Sequence, residues 1–245
     1  MSIAPLAALS VLASAMTIED RVARDRETRR ALIVATAREL AEKEGWDAVT
    51  TRRLSTKIEY SQPVLYKHFS SMEDIVAAVA LEGFRELSEV LRAAHRNTAE
   101  PLDVLRNVAH SYVVYAAENP ALYDAMFTRT SPLRFGGGSA APMAAAFGAL
   151  RDAVTDALED EDVDTATEVL WAALHGLTML GRNGRLRHGL EIGRIDFLVG
   201  QFVTAHSSSE SHGSANMSDG SPGREERRGT ASTWPPDTRN IEQSE

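Results

Sequence analysis

Between about residues 25 and 206 the apolar positions recur three and four apart, the spacing that lines one face of an α-helix. No alternating run and no Asn-Gly turn competes with that spacing, so the pattern predicts an all-α fold. In the first stretch, about 26–44, Ile33, Ala37, Leu40 and Ala41 form a core-facing stripe, and Gly45 supplies the stop before Trp46 anchors the turn. Thr50 or Thr51 can cap a short second helix whose Leu54 and Ile58 lie one turn apart, ending near Glu59 and Tyr60. Ser61 can cap a third. There Pro63 falls in the first turn, where a missing N–H matters little, and Val64, Leu65, Tyr66 and Phe69 give an apolar side. Ser70 with Glu73 reads as a capping box opening a long fourth helix, about 71–96.

Further helices are predicted at about 102–118, 120–127, 142–158, 164–180 and 190–205. Asn119-Pro120, the Gly136-Gly137-Gly138 run and Gly181 through Gly184 mark breaks between them. The triple glycine is not a phosphate loop. It is followed by Ser139-Ala140-Ala141 rather than the lysine and hydroxyl residue that reach phosphate and magnesium. Residues 207–245 hold Met217, Trp234 and Ile241 as their only large apolar side chains, too few to offset ordering entropy, so a disordered tail is expected. Residues 1–24 read as a disordered arm. Its apolar stretch ends in Ala13-Ser14-Ala15 like a cleavage site, but no positive charge precedes Arg21, so a loose arm or a start at Met16 is expected rather than export.

Composition narrows the function classes. The absence of cysteine excludes disulfides, thiolate metal sites and a thiol nucleophile, and it fits a reducing cytoplasm. No apolar run reaches the roughly 18 residues of a spanning helix, so no membrane association is expected. The net charge of -9 alone argues against a nucleic-acid partner. That average hides an asymmetry, because residues 21–69 carry +4 and the remainder -13. A basic module ahead of an acidic body suggests that only the former meets a polyanion, although a solvated helix surface would give similar counts.

Two short helices joined by about four residues, the second opening on polar side chains, have the spacing of a helix-turn-helix. Thr50-Thr51-Arg52-Arg53-Leu54-Ser55 and Ser61-Gln62-Pro63-Val64-Leu65-Tyr66-Lys67-His68-Phe69 make the pattern specific. Over about residues 27–75 the chain resembles the DNA-binding domain of TetR-family transcriptional regulators, whose recognition helix closes in Leu-Tyr-x-His-Phe. The resemblance implies an N-terminal three-helix DNA-binding domain, about 25–70, linked by a long helix to a helical ligand-binding and dimerisation domain, about 71–206. It makes Thr50 or Thr51 a cap and phosphate contact and sets Ser61, Gln62 and Val64 against the groove, with Tyr66, Lys67 and His68 on the backbone. Hydroxyls and amides at a helix N-terminus suit phosphates and base edges, and Arg52, Arg53 and Lys67 supply charge that releases counterions. Leu65 and Phe69 are expected in the core. Three positions depart from the pattern: Glu59 and Pro63 stand where glycines are usual, and Met72 where a lysine is usual.

In the second half, Trp171-Ala172-Ala173-Leu174-His175-Gly176 resembles the string that names a Trp-His-Gly subgroup of the same family. Gly176 is expected to admit a neighbouring backbone. Tyr112, Tyr115, Met126, Phe147, Trp171, His175 and Met179, with Phe127 and Met143, are the aromatic and soft side chains that could line a pocket for a small apolar effector, although each singly also suits a core. By the resemblance, helices near 164–181 and 190–205 pair with their mates in a homodimer, so that two recognition helices read a near-palindromic operator in double-stranded DNA. A repressor is implied, in which an inducer shifts the first and fourth helices. No cofactor, metal or enzymatic activity is expected, since the seven histidines form no ligand cluster outside the tail and no catalytic motif occurs. The competing expectation is a DNA-binding or adaptor protein without a small-molecule effector, whose acidic body or tail binds a protein partner.

Overall fold

The computed structural model describes residues 18–97, 100–129, 140–158 and 162–213. Every regular element among them is helical, and no helix is long and apolar enough to cross a membrane. The elements are α1 (Ile18–Glu44), a 3-10 turn (Trp46–Ala48), α2 (Thr51–Lys57), α3 (Gln62–Tyr66), α4 (Met72–His95), α5 (Pro101–Glu118), α6 (Pro120–Phe127), α7 (Ala140–Ala157), α8 (Val163–Arg182) and α9 (Glu191–Gly213). The chain divides into two compact units, Met1–Ile75 and Val76–Glu245.

In the first unit α1 buries the expected stripe, Ile33, Ala37, Leu40 and Ala41, together with Val34, and Trp46, Leu54, Leu65 and Phe69 complete the core. Two local readings shift. α1 begins at Ile18, not near 26, because Glu19 and Asp20 favour the start of its dipole; its first turns are exposed on every side and show no apolar stripe to read. The cap of α4 lies one residue later than Ser70 and Glu73 suggested. Ser71 Oγ accepts from the Asp74 N–H at 3.2 Å, and Asp74 Oδ2 accepts from the Ser70 N–H at 3.1 Å.

The second unit is built around α5, which packs against α6, α7, α8 and α9. Leu105, Val108, Ala109 and Ala116 of α5 are fully buried. Asn119-Pro120 breaks the chain where expected, with Pro120 in the first turn of α6. α9 continues through Gly213, so the start of the stretch read as tail is helical. The triple-glycine run, the arm up to residue 17 and residues 214–245 lie outside the described residues.

Candidate nucleic-acid interface and effector cavity

The turn between α2 and α3 is a helix-ending motif. The Tyr60 N–H returns to the Ser55 carbonyl at 3.0 Å, which places Glu59 at φ 59°. Gly184 closes α8 in the same way at φ 65°, with the Arg185 N–H on the Leu180 carbonyl at 2.9 Å. Glycine adopts this left-handed conformation freely, whereas a Cβ there is strained by roughly 1 kcal/mol. Glu59→Gly is therefore expected to raise stability by about 1 kcal/mol, read as a higher urea midpoint at unchanged slope. An unchanged or lower midpoint would show that Glu59 makes a compensating contact.

Of the two threonines at the start of α2, Thr50 is the cap: its Oγ1 accepts from the Arg53 N–H at 3.3 Å, while Thr51 is half-buried inside the helix. Ser61 stands at the cap position of α3 without a side-chain capping bond. Arg52, Ser61, Gln62, Tyr66 and Lys67 are exposed, Val64 and His68 are half-buried, and Leu65 and Phe69 are buried. Tyr66 is 54% exposed, unusual for a tyrosine on so short a helix. The basic residues differ in availability. Arg53 makes a two-pronged pair with Glu44 at 2.8 and 2.9 Å, and Lys57 and Lys43 share Glu39, whose carboxyl they hold at about 2. Arg52 and Lys67 carry no ion pair among the described residues. Arg53 is thus tied to α1 rather than presented as free charge.

The sequence pattern did not disclose Arg30 of α1. Its guanidinium donates to the His68 carbonyl at 3.0 Å and lies 4.1 Å from the centre of the Phe69 ring, fastening the end of the recognition segment to α1. The burial of His68 lowers its pKa from the ordinary 6.5, and Arg26, Arg29, Arg30 and Lys67 press it in the same direction. At neutral pH it is therefore an uncharged side chain, which removes it as a cationic phosphate contact.

In the second unit a cavity of about 20 Å³ opens between α4, α5, α6, α7 and α8. Its wall includes Tyr112, Phe147 and Trp171 of the expected set, with Phe127 and Met143. Four expected residues lie elsewhere. Tyr115 is buried with its hydroxyl donating to the Gly83 carbonyl at 3.0 Å, Met126 is buried against Gly83, Met179 is half-buried, and His175 is outside the wall. Phe84, Leu87 and Leu91 of α4 join the wall unannounced by any sequence signal beyond helical periodicity.

Behind the wall runs a hydrogen-bonded chain that includes Tyr123, a residue the sequence did not single out. Trp171 Nε1 donates to the Tyr112 hydroxyl at 3.1 Å, Tyr112 and Tyr123 hydroxyls lie 2.8 Å apart, and the Tyr123 hydroxyl lies 2.7 Å from His175 Nδ1. Tyr123 also packs 4.6 Å from the Phe127 ring. Indole nitrogen only donates, which fixes the first step. If Tyr112 then donates to Tyr123, and Tyr123 to His175, every hydrogen in the chain is bonded. In the opposite sense the Tyr112 hydrogen has no partner, at a cost of about 1–3 kcal/mol in a buried site. The chain therefore runs from Trp171 to His175, which carries its proton on Nε2. Burial pushes the Tyr112 hydroxyl up to about 12 and Tyr123 higher still, so both remain neutral.

Burial, and secondarily Arg182, lowers the His175 pKa from its ordinary 6.5. For both His68 and His175 the unfolded chain binds a proton at a pH where the native chain does not, so stability rises with pH over that interval. The unfolding free energy is expected to be flat above about pH 7 and to fall as the pH drops below 6.5. His68→Gln and His175→Gln should each flatten that slope in urea titrations between about pH 5 and 8. Slopes identical to the native protein's would place the responsible groups elsewhere.

A third surface lies on α8 and α9. Leu180 and Leu190 are 41% and 42% exposed and Phe197 is 70% exposed, beside a groove lined by Ala173, Gly176 and Gly193. Nothing in the chain approaches a Cβ placed at Gly176 within 4 Å, so the backbone expected against it does not come from this subunit.

Residues 33–79 match the family described as bacterial regulatory proteins, tetR family, and residues 105–199 match the tetracyclin repressor-like C-terminal domain. An uncharacterised HTH-type transcriptional regulator of Mycobacterium tuberculosis is 31% identical over 167 residues, which span 66% of this chain and 74% of the relative. A solved protein of unknown function from Rhodococcus sp. RHA1 superposes with a TM-score of 0.64 at 21% identity, covering 72% of this chain and 94% of its own. The regulator RolR in complex with resorcinol superposes at 0.58 with 17% identity, covering 80% and 96%. These structural likenesses speak for the fold alone. The Trp-His-Gly subgroup suggested by Trp171, His175 and Gly176 is not confirmed.

Proposed function

Because the chain belongs to the TetR family of DNA-binding transcriptional regulators, we propose that it works as a homodimeric repressor released from a near-palindromic operator by a small apolar ligand. The observation that carries this reading is the pairing, in one chain, of a helix-turn-helix exposing Gln62, Tyr66 and Lys67 with an apolar-walled cavity in the other unit. Thr50, Thr51, Ser61 and Lys67 suit phosphate, Arg52 adds charge, and Gln62 and Val64 suit base edges. Tyr112, Phe147 and Trp171 suit the ligand. Dimerisation through α8 and α9 covers Leu180, Leu190 and Phe197 and sets two recognition helices on successive major grooves, roughly 34–36 Å apart. Release needs a ligand that prefers the DNA-free state. About 1–3 kcal/mol of preference gives a 5- to 150-fold loss of operator affinity.

The test is fluorescence anisotropy of the native protein and Tyr66→Ala on fragments of DNA flanking its coding region, with salt titrated. Two subunits should bind one near-palindromic fragment, with affinity falling steeply in salt, and Tyr66→Ala should weaken binding by about tenfold, the loss of one charge-assisted contact. Binding without preference among fragments, equal for the two proteins, would overturn the operator assignment.

One observation favours a second reading. The cavity's 20 Å³ holds about one water, so no effector enters without moving side chains, as expected of a DNA-binding protein that answers to a protein partner. A thermal-shift screen separates the two, because an effector raises Tm with its concentration and a partner-driven regulator yields no hit.

A further inference from the structure

Taking the cavity as the effector site, we propose that it accepts neutral, apolar molecules carrying one hydrogen-bond donor, an alcohol or a phenol, and rejects their ethers and their carboxylate counterparts. Two features of the wall lead there. The first is charge. Phe84, Leu87, Leu91, Phe127, Phe147 and their neighbours include no Asp, Glu, Lys, Arg or His. A carboxylate entering would lose its water and find no cation.

The second feature is the sense of the hydrogen-bonded chain. The only side-chain nitrogen or oxygen atoms of the wall are the Tyr112 hydroxyl and Trp171 Nε1, which face each other at 3.1 Å. The single Trp171 N–H is committed to Tyr112, and the Tyr112 hydrogen is committed to Tyr123. One capacity is left. The Tyr112 oxygen has a second lone pair, so the wall can accept a hydrogen bond but has none to donate. A guest hydroxyl satisfies both itself and Tyr112. An ether or ketone oxygen buried in the same place finds no donor unless the chain is broken. Room comes from Met143, whose unbranched thioether repacks with less strain than any other large side chain of the wall.

The experiment is calorimetric titration of the full chain, without DNA, with three probes of matched shape: para-isopropylphenol, para-isopropylanisole and para-isopropylbenzoate. The phenol is expected to bind roughly five- to tenfold more tightly than the anisole, the effect of one net hydrogen bond, and the benzoate should give no heat of binding. In Tyr123→Phe the Tyr112 hydrogen is freed to point at the guest, so the anisole should gain on the phenol. In Tyr112→Phe the phenol and the anisole should bind alike. Circular dichroism establishes that each variant is folded, and the native comparison stands if either is not. The assignment is overturned if the anisole or the benzoate matches the phenol in the native protein, or if none of the three binds. Operator release is scored separately. Phenol binding that leaves the protein on DNA would defeat the repressor reading and keep the cavity chemistry, whereas release by carboxylates or ethers would do the reverse.

Discussion

Replacing Phe197 with aspartate is expected to yield a folded monomer whose operator affinity is lower by about a hundredfold or more. In the single subunit Phe197 is 70% exposed, in company with Ile192 at 68% and with Leu180 and Leu190. A phenylalanine presented to water beside a groove of small residues resembles half of an interface, and buried aromatic anchors carry a large part of interface energies. A carboxylate at the centre of such a contact would be desolvated twice, once from each subunit, with no cation facing it from Ala173, Gly176 or Gly193. Loss of the dimer uncouples the two half-sites. Linked binding contributes roughly a hundred- to ten-thousandfold over a single module, and that factor disappears with it. The subunit itself should be little affected, within about 0.5 kcal/mol, because the substituted side chain is already in water. Sedimentation equilibrium gives the mass, and anisotropy gives the affinity. A dimer of undiminished operator affinity would mean that subunits meet through some other surface.

Gly83→Val is expected to lower Tm by about 5–10 °C, from roughly 2–3 kcal/mol of overpacking in a chain of this size. α4 and α6 meet at Gly83 with no space for a side chain. A Cβ there would stand 2.6 Å from Met126 Sδ and 2.9 Å from Leu122 Cδ1, and Leu122 is completely buried. Met126 can swing aside, but Leu122 cannot do so without disturbing its own helix. The Gly83 carbonyl also holds the Tyr115 hydroxyl, so a displaced α4 turn strains that bond as well. Gly148 is the control, a glycine within α7 whose Cβ would meet nothing within 4 Å. Gly148→Ala should stabilise by about 0.5–1 kcal/mol through the lower backbone entropy of alanine. Calorimetric scans of both variants suffice. If Gly83→Val melts with the native protein, the close approach of α4 and α6 is not a feature of the folded chain.

Much of this protein is legible from local periodicity. Ile33, Ala37, Leu40 and Ala41 lie in the core because residues three and four apart share a helix face, whatever that face packs against. Leu65 and Phe69 were legible as core for the same reason, and so was the break at Asn119-Pro120. The exposure of Gln62, Tyr66 and Lys67 follows from the same periodicity, which assigns their neighbours inward. Where the pattern is polar on all sides it carries no information, and the opening turns of α1 were missed. Caps depend on which of two adjacent hydroxyls meets the backbone, and a one-residue choice at Thr50 or Ser71 lies below what composition resolves.

The availability of charge and the chemistry of the cavity were decided by tertiary structure alone. Arg53 looks free in the sequence and is held by Glu44, nine positions earlier; Arg30 looks like solvated helix and secures His68 and Phe69, thirty-eight and thirty-nine positions later. Tyr112, Tyr123, Trp171 and His175 come from α5, α6 and α8, and only packing brings their polar atoms within 3.1 Å. A sequence records which faces avoid water, since that preference belongs to each side chain separately. It does not record which buried hydroxyl meets which ring nitrogen, because that depends on distances fixed jointly by several helices, to within a few tenths of an ångström.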